Sequence, residues 1–265
     1  EPPFVHFAEE AAAAGDHDFR YLPGFAISFR SAAEVDIVRY VDDSGSAPPR
    51  PFLVRAAAVP VNTNSTAFDS RGLVILDRER RDCEQACDNA GDPLACRLAC
   101  AEEIPLRVYL ANRNPASLLV GRVQTLVNRE ENAAGEEVVT SASETLSFFD
   151  VLPLNFGPSR VEIGQVVGPD GVLVERVFAV CFDSRAVFII DPYAERVEAV
   201  VRTGRGPHDI AIDSGSEDGE PYAYLHVGHF TDSYIGVVDL DLRRPTTYGQ
   251  IVANLGIPTP PEESR

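Results

Sequence analysis

Short runs in which apolar residues alternate with polar ones, separated by turn residues, make up most of the chain. In Asp209–Asp213 (DIAID) the two isoleucines, Ile210 and Ile212, point one way and Ala211 the other, as a strand with a period of two requires. The segment VEIGQV from Val161 behaves similarly. Two longer stretches align without gaps: RVFAVCFDSRAVFIIDP from Arg176 and YLHVGHFTDSYIGVVDL from Tyr224, so that Asp191 and Asp239 end their runs 48 residues apart (191 to 239). A Gly-Pro turn precedes each copy, at Gly157 and at Gly206, 49 residues apart (157 to 206). A period of about 40–50 residues with several strands per unit is the mark of propeller blades.

Two earlier units are fainter. LRVYLANRNPASLLVGRV from Leu106 places Leu118 where the later copies have Val187 and Ile235, and FAISFRSAAEVDIVRYV from Phe25 places Val35 there. The predicted fold is therefore all-β, a β-propeller of four-stranded antiparallel blades, with about four blades in this chain. The blades are expected over residues 21–62, 63–156, 157–205 and 206–255, with residues 1–20 irregular and 256–265 a tail.

Tyr109, Leu110, Ala111 and Asn112, the following NPASLLV, the strand end FIIDP and the turn GRGPHDIAID together resemble the YVTN family of propeller repeats, most closely from about Leu106 to Leu255. The other units carry Phe29, Cys181 and His229 at the position of Asn112, so no shared chemistry follows there. The resemblance implies a ring of about seven blades. Either a separate or upstream N-terminal half or a protein partner is then expected to complete it, because an open ring leaves edges and apolar faces uncovered. The chain contains no methionine, from which a removed leader or an upstream segment is expected.

Cys83, Cys87, Cys96 and Cys100 stand in a C-x3-C, eight-residue, C-x3-C pattern. Residues i and i+4 share a helix face, and the intervening DNAGDPLA breaks the helix, which predicts two short antiparallel helices inserted over residues 80–104. Antiparallel packing opposes the outer two cysteines and the inner two, giving the disulfides Cys83–Cys100 and Cys87–Cys96. By spacing alone the segment resembles an α-hairpinin. A four-thiolate zinc site is the competing reading. Helices this short need staples, which favours disulfides and an oxidising compartment. Cys181, in the apolar run VFAVCF, is expected to be a buried free thiol.

Charge narrows the partners. With 23 Lys and Arg against 41 Asp and Glu, the net charge is −18. Such a field repels nucleic acid, whose binding starts from phosphate neutralisation. All 23 cations are arginine, a bias that GC-rich codons produce and that points to a bacterial source. No apolar run reaches the length of a transmembrane helix. The expected location is the bacterial periplasm, the outer membrane surface or the exterior, with attachment through an upstream lipid anchor as one route.

No G-x-S-x-G, H-E-x-x-H, phosphate-loop or haem-attachment motif occurs. No catalytic residue, metal or cofactor is therefore assigned. His208, Asp209, His229, Thr231 and Asp232 are expected to gather on one face of the disc, near the channel, as a candidate binding face. His226 and His229 differ by an odd number of residues and should point to opposite faces of one strand. The acidic stretches NREENAAGEE and DSGSEDGEP, the latter over Asp213–Pro221, are expected to be solvated loops. The leading expectation is a non-catalytic binding or scaffold protein. The alternative is a propeller enzyme, lactonase-like or a metal- or redox-dependent oxidoreductase, working at His208, His229 and Asp232. A sugar or surface-polymer binder ranks below both, since no tryptophan is present to stack on a ring.

Overall fold

The computed structural model describes residues 3–7, 19–41, 52–61 and 68–257. Among the described residues, sixteen strands form four antiparallel sheets, each a meander of four consecutive strands. The first sheet contains β1 (Pro3–Phe7), β2 (Phe19–Ser28), β3 (Glu34–Val41) and β4 (Phe52–Pro60), and the second β5 (Phe68–Leu76), β6 (Leu106–Asn114), β7 (Ser117–Glu131) and β8 (Glu137–Pro153). The third has β9 (Pro158–Val167), β10 (Leu173–Cys181), β11 (Ala186–Asp191) and β12 (Arg196–Arg202). The fourth has β13 (Pro207–Glu217), β14 (Glu220–His229), β15 (Tyr234–Asp239) and β16 (Ile251–Leu255). These are propeller blades.

Alternation along each strand places one set of side chains against the preceding blade and the other against the next. Val35 and Ile37 meet Leu106, Val108 and Leu110 between the first two sheets. Tyr109, Ala111 and Leu118 meet Val177, Ala179 and Cys181 between the second and third. Phe178, Val180, Val187 and Ile189 meet Ala223, Leu225 and Val227 between the third and fourth. Each large side chain buried in these seams contributes on the order of 1.5–3 kcal/mol.

The first strands of the second, third and fourth blades lie side by side, and between the last two glycine permits the approach. A Cβ on Gly164 of β9 would stand 2.5 Å from Cγ1 and 2.8 Å from Cβ of Ile212 on β13. Since the Ile212 Cβ moves only with its backbone, Gly164→Ala is expected to force the third and fourth blades apart and to cost about 1–3 kcal/mol. A urea-denaturation midpoint unchanged from wild type would refute this close fit.

Gly157 and Gly206 adopt φ of +78° and +65°, which suits glycine at the turn between blades. In both, the glycine carbonyl accepts from a phenylalanine N–H in the next turn, Phe182 at 2.8 Å and Phe230 at 2.9 Å. The Gly-Pro signal marks this joint.

Three segments differ from the hydropathy pattern. Pro3–Phe7, expected to be irregular, is a strand paired with Phe19–Pro23; five residues remote from their partner carry too little alternation to reveal a pairing that lies in the backbone. Asp213–Pro221, expected to be a loop, is mostly strand: β13 runs to Glu217, and Asp218 (φ 52°) and Gly219 (φ 83°) form a two-residue hairpin turn. Its polar residues sit at the sheet end, where water reaches both faces. Of NREENAAGEE, expected to be a loop, residues 128–131 and 137 are strand, and only 132–136 form the turn of the long β7–β8 hairpin, tightened by the Asn132 side chain, which accepts from the N–H groups of Ala134 and Glu136 at 2.9 Å each. The expected tail from 256 continues beyond Ile257 outside the described residues, as does the first blade's predicted end at residue 62.

Between β5 and β6 stand α1 (Arg78–Ala86), a short 3-10 turn (Cys87–Asn89) and α2 (Pro93–Glu103). Asp92 caps α2 by accepting from the Ala95 N–H at 3.0 Å, with Pro93 in the first turn. Disulfides join Cys83 to Cys100 and Cys87 to Cys96, with Cα separations of 5.9 and 5.6 Å. The hairpin lies against the long β7–β8 pair. Leu98 is buried among Leu94, Val127, Val139 and Ala142. Glu102 holds Arg129 through two hydrogen bonds. Arg80, 3% exposed, donates through its guanidinium to the Ala101 carbonyl at 3.0 Å, to Glu144 at 3.3 Å and to the Thr125 hydroxyl, and pairs with Glu84 at 3.5 Å.

Candidate binding face

The turn after β10 and the turn after β14 open on the same rim as the turns that join consecutive blades. On this rim His208 lies between Phe182 and Phe230, with ring centroids 6.5 and 6.2 Å away. Phe156 and Phe230 are the most exposed of the neighbouring aromatics, at 81% and 79%. Beside them, a cleft of ≈ 430 Å³ is lined by His208, His229, Phe230, Tyr234, Ile235 and Leu255, among others. Its walls are mainly apolar.

Of the five residues expected on this face, His208, Asp209 and His229 border the cleft, whereas Thr231 and Asp232 are occupied next to it. Asp232 accepts from the Arg205 backbone N–H at 2.9 Å and pairs with its guanidinium at 2.7 Å, and these bonds hold its carboxyl below the usual carboxylate range. The Thr231 side chain packs against Gly206, leaving no space for a Cβ there. Asp209 turns toward Arg160 at 3.0 Å. His229 is 3% exposed, stacks on Tyr234 at 4.1 Å, and accepts the Gly204 N–H on Nε2 at 3.0 Å. His226, one strand face away, does not share its surroundings.

These commitments decide the chemistry. A nitrogen that accepts a backbone N–H is neither a general base nor a metal ligand without breaking that bond. The expected enzyme site at His208, His229 and Asp232 is therefore not assembled: His229 and Asp232 fasten the turn at Thr203–Gly206 between the third and fourth blades. Burial lowers the His229 pKa, since the imidazolium would lose water and the Nε2 acceptor together. A depressed folded-state pKa leaves stability complete above the unfolded value of about 6.5. That part is lost as pH falls through the folded value. Wild type is thus expected to lose more thermal stability between pH 7.5 and 5.5 than His229→Asn, which places there the residue type of Asn112. Equal losses in melts of the two proteins would rule out this source.

The rim cleft continues onto the outward face of the fourth sheet. Register sets His226, Gly228, Ile235 and Val237 where the third sheet has Phe178, Val180, Val187 and Ile189. The four residues of the third sheet are covered by the fourth blade, each with an exposure of 0%. Among the described residues nothing comparable covers the fourth sheet, and Ile235 and Leu255 are 40% and 54% exposed.

A second concavity, of ≈ 560 Å³, runs along the first strands of the third and fourth blades. Arg160, Glu162, Glu175 and Gln165 line it, and the helical hairpin adds Arg78 and Arg81 from α1. Burial raises the Glu175 carboxyl pKa. These residues were not singled out in the sequence, and no spacing could have marked them, since α1 meets β9 and β13 only once the hairpin has docked.

None of the helices among the described residues is long and apolar enough to cross a membrane. No protein-family model matches the chain, and no curated protein matches it in sequence. Among solved structures, apo AztD from Citrobacter koseri is similar over 98% of this chain and 68% of its own, at 11% identity and a TM-score of 0.27. A likeness of that order carries nothing about function.

Proposed function

We propose that the chain is a non-catalytic binding scaffold of the YVTN repeat type, acting in the periplasm, at the outer membrane surface or outside a bacterial cell. Its partner is a protein that lies on the outward face of the fourth sheet and extends the arc of blades toward a ring of about seven. The observation that carries this reading is the uncovered Ile235 and Leu255 surface, continuous with the rim cleft at Phe230. A face that alternates like the covered one beside it is suited to another sheet, and apolar surface of this kind marks interaction sites. The two disulfides support the compartment, since such bonds persist where the surroundings are oxidising.

Affinity isolation from the native envelope tests it. A stable protein partner is expected, and its recovery should fall at least about tenfold with Ile235→Asp, a loss that corresponds to about 1.4 kcal/mol. Recovery of no partner, together with a monodisperse free monomer, or recovery unaffected by Ile235→Asp, would overturn the proposal.

A further inference from the structure

The two disulfides do not lie apart along the hairpin. The sulfur of Cys87, from the inner bridge, is 3.7 Å from the sulfur of Cys100, from the outer one. Cys87, Cys96 and Cys100 all place their sulfurs within 4.8 Å of one another, and Cys83 is bonded to Cys100. Tetrahedral zinc with Zn–S bonds of about 2.3 Å has an S···S edge of about 3.8 Å. The Cys87–Cys100 gap is therefore already one such edge, while Cys83, outside the group of three, has to swing inward once its bond opens. Opening both bridges frees each bonded pair to separate to the same distance by side-chain rotation, with Cα atoms 5.9 and 5.6 Å apart, and the largest rotation falls on Cys83.

The surroundings fix the backbone for this exchange. Cys83 and Cys87 stand one turn apart toward α2, and Cys96 and Cys100 one turn apart toward α1. The hairpin is tied to the second blade by the bonds of Arg80 to Thr125 and Glu144, by Arg129 and by Leu98, none of which depends on a sulfur–sulfur bond. Burial separates the sulfurs into a buried set, Cys87 and Cys100, and a more accessible set, Cys83 and Cys96, through which a reductant would enter.

We propose that the hairpin has a second closed state, in which its four reduced cysteines hold one zinc ion as a four-thiolate site. Two equivalents of a dithiol reductant deliver four electrons and four protons to the two disulfides and leave as two oxidised dithiols. Zn²⁺ then displaces the four thiol protons to form the tetrathiolate. The pair of states makes the hairpin a redox-controlled metal site on the same rim as the β7–β8 turn, independent of the partner surface on the fourth sheet.

The test uses the full chain, reduced by a phosphine and titrated without air with Co²⁺, then with Zn²⁺. One Co²⁺ per chain is expected, with the intense visible absorption of tetrahedral thiolate cobalt, displaced stoichiometrically by Zn²⁺. Cys96→Ser should weaken binding by at least about a hundredfold, more than the loss of an outer-shell partner, while Cys181→Ser should leave it unchanged. Circular dichroism of each variant reports whether the sheets persist, so that a lost site is distinguished from an unfolded chain. Octahedral cobalt spectra, absence of stoichiometric uptake by the folded reduced chain, or affinity unchanged by Cys96→Ser would overturn the assignment.

Discussion

Arg80→Ala is expected to destabilise the protein by about 3–5 kcal/mol, the range for removing one partner from a buried ionic network. Arg80 reaches three elements at once: Glu84 on its own helix, the Ala101 carbonyl on α2, and Thr125 and Glu144 on the β7–β8 pair. Its removal takes the guanidinium from Glu84, whose pKa burial already raises, and from the Glu144 carboxylate, only 2% exposed. Urea denaturation under oxidising conditions measures the loss. Arg80→Lys keeps the charge without the planar fork, and should recover part of the stability but not all. A loss below about 1 kcal/mol for Arg80→Ala would mean that the hairpin is held by Leu98 and Glu102 alone.

The outer disulfide is expected to contribute about 3 kcal/mol, as a bridge closing a loop of some 15 residues does when it restricts the unfolded chain. Cys83 and Cys100 are 17 residues apart, and Cys87 and Cys96 only 9. On the same loop-entropy relation the inner bridge contributes about 0.6 kcal/mol less. Comparing the Cys83→Ser/Cys100→Ser pair with the Cys87→Ser/Cys96→Ser pair by denaturation tests the order. A larger loss from the inner pair would show that packing in the folded hairpin outweighs the loop term.

The class of fold was legible because its information is local and repeated. Arg176–Pro192 and Tyr224–Leu240 align without gaps, and the glycine and proline of each joint occupy equal places. The cysteine pairing was legible for a related reason: residues four apart share a helix face, and a breaker between two such pairs leaves few ways to oppose them. What alternation could not reveal depends on partners distant in the chain. Pro3–Phe7 joins a sheet through backbone hydrogen bonds to residues across an eleven-residue gap. His229 looked like a reactive group because imidazole beside carboxylate is common chemistry, yet a backbone N–H 25 residues earlier claims its nitrogen. The second concavity is made by α1 and the first strands of the third and fourth blades, and no segment read by itself contains it.

Cys181 has a consequence for how the chain must mature. Its side chain is fully enclosed in the seam between the second and third sheets, and burial pushes its thiol pKa up to about 12. In the folded protein it therefore presents almost no thiolate and cannot attack either bridge. Before that seam closes, five thiols compete for two correct bonds, and an odd sulfur opens routes to scrambled isomers and to covalent dimers. Correct pairing thus depends on the order of events: the local hairpin bonds, which span only short stretches of chain, must close while Cys181 is still distant, or the sheets must wall it off first.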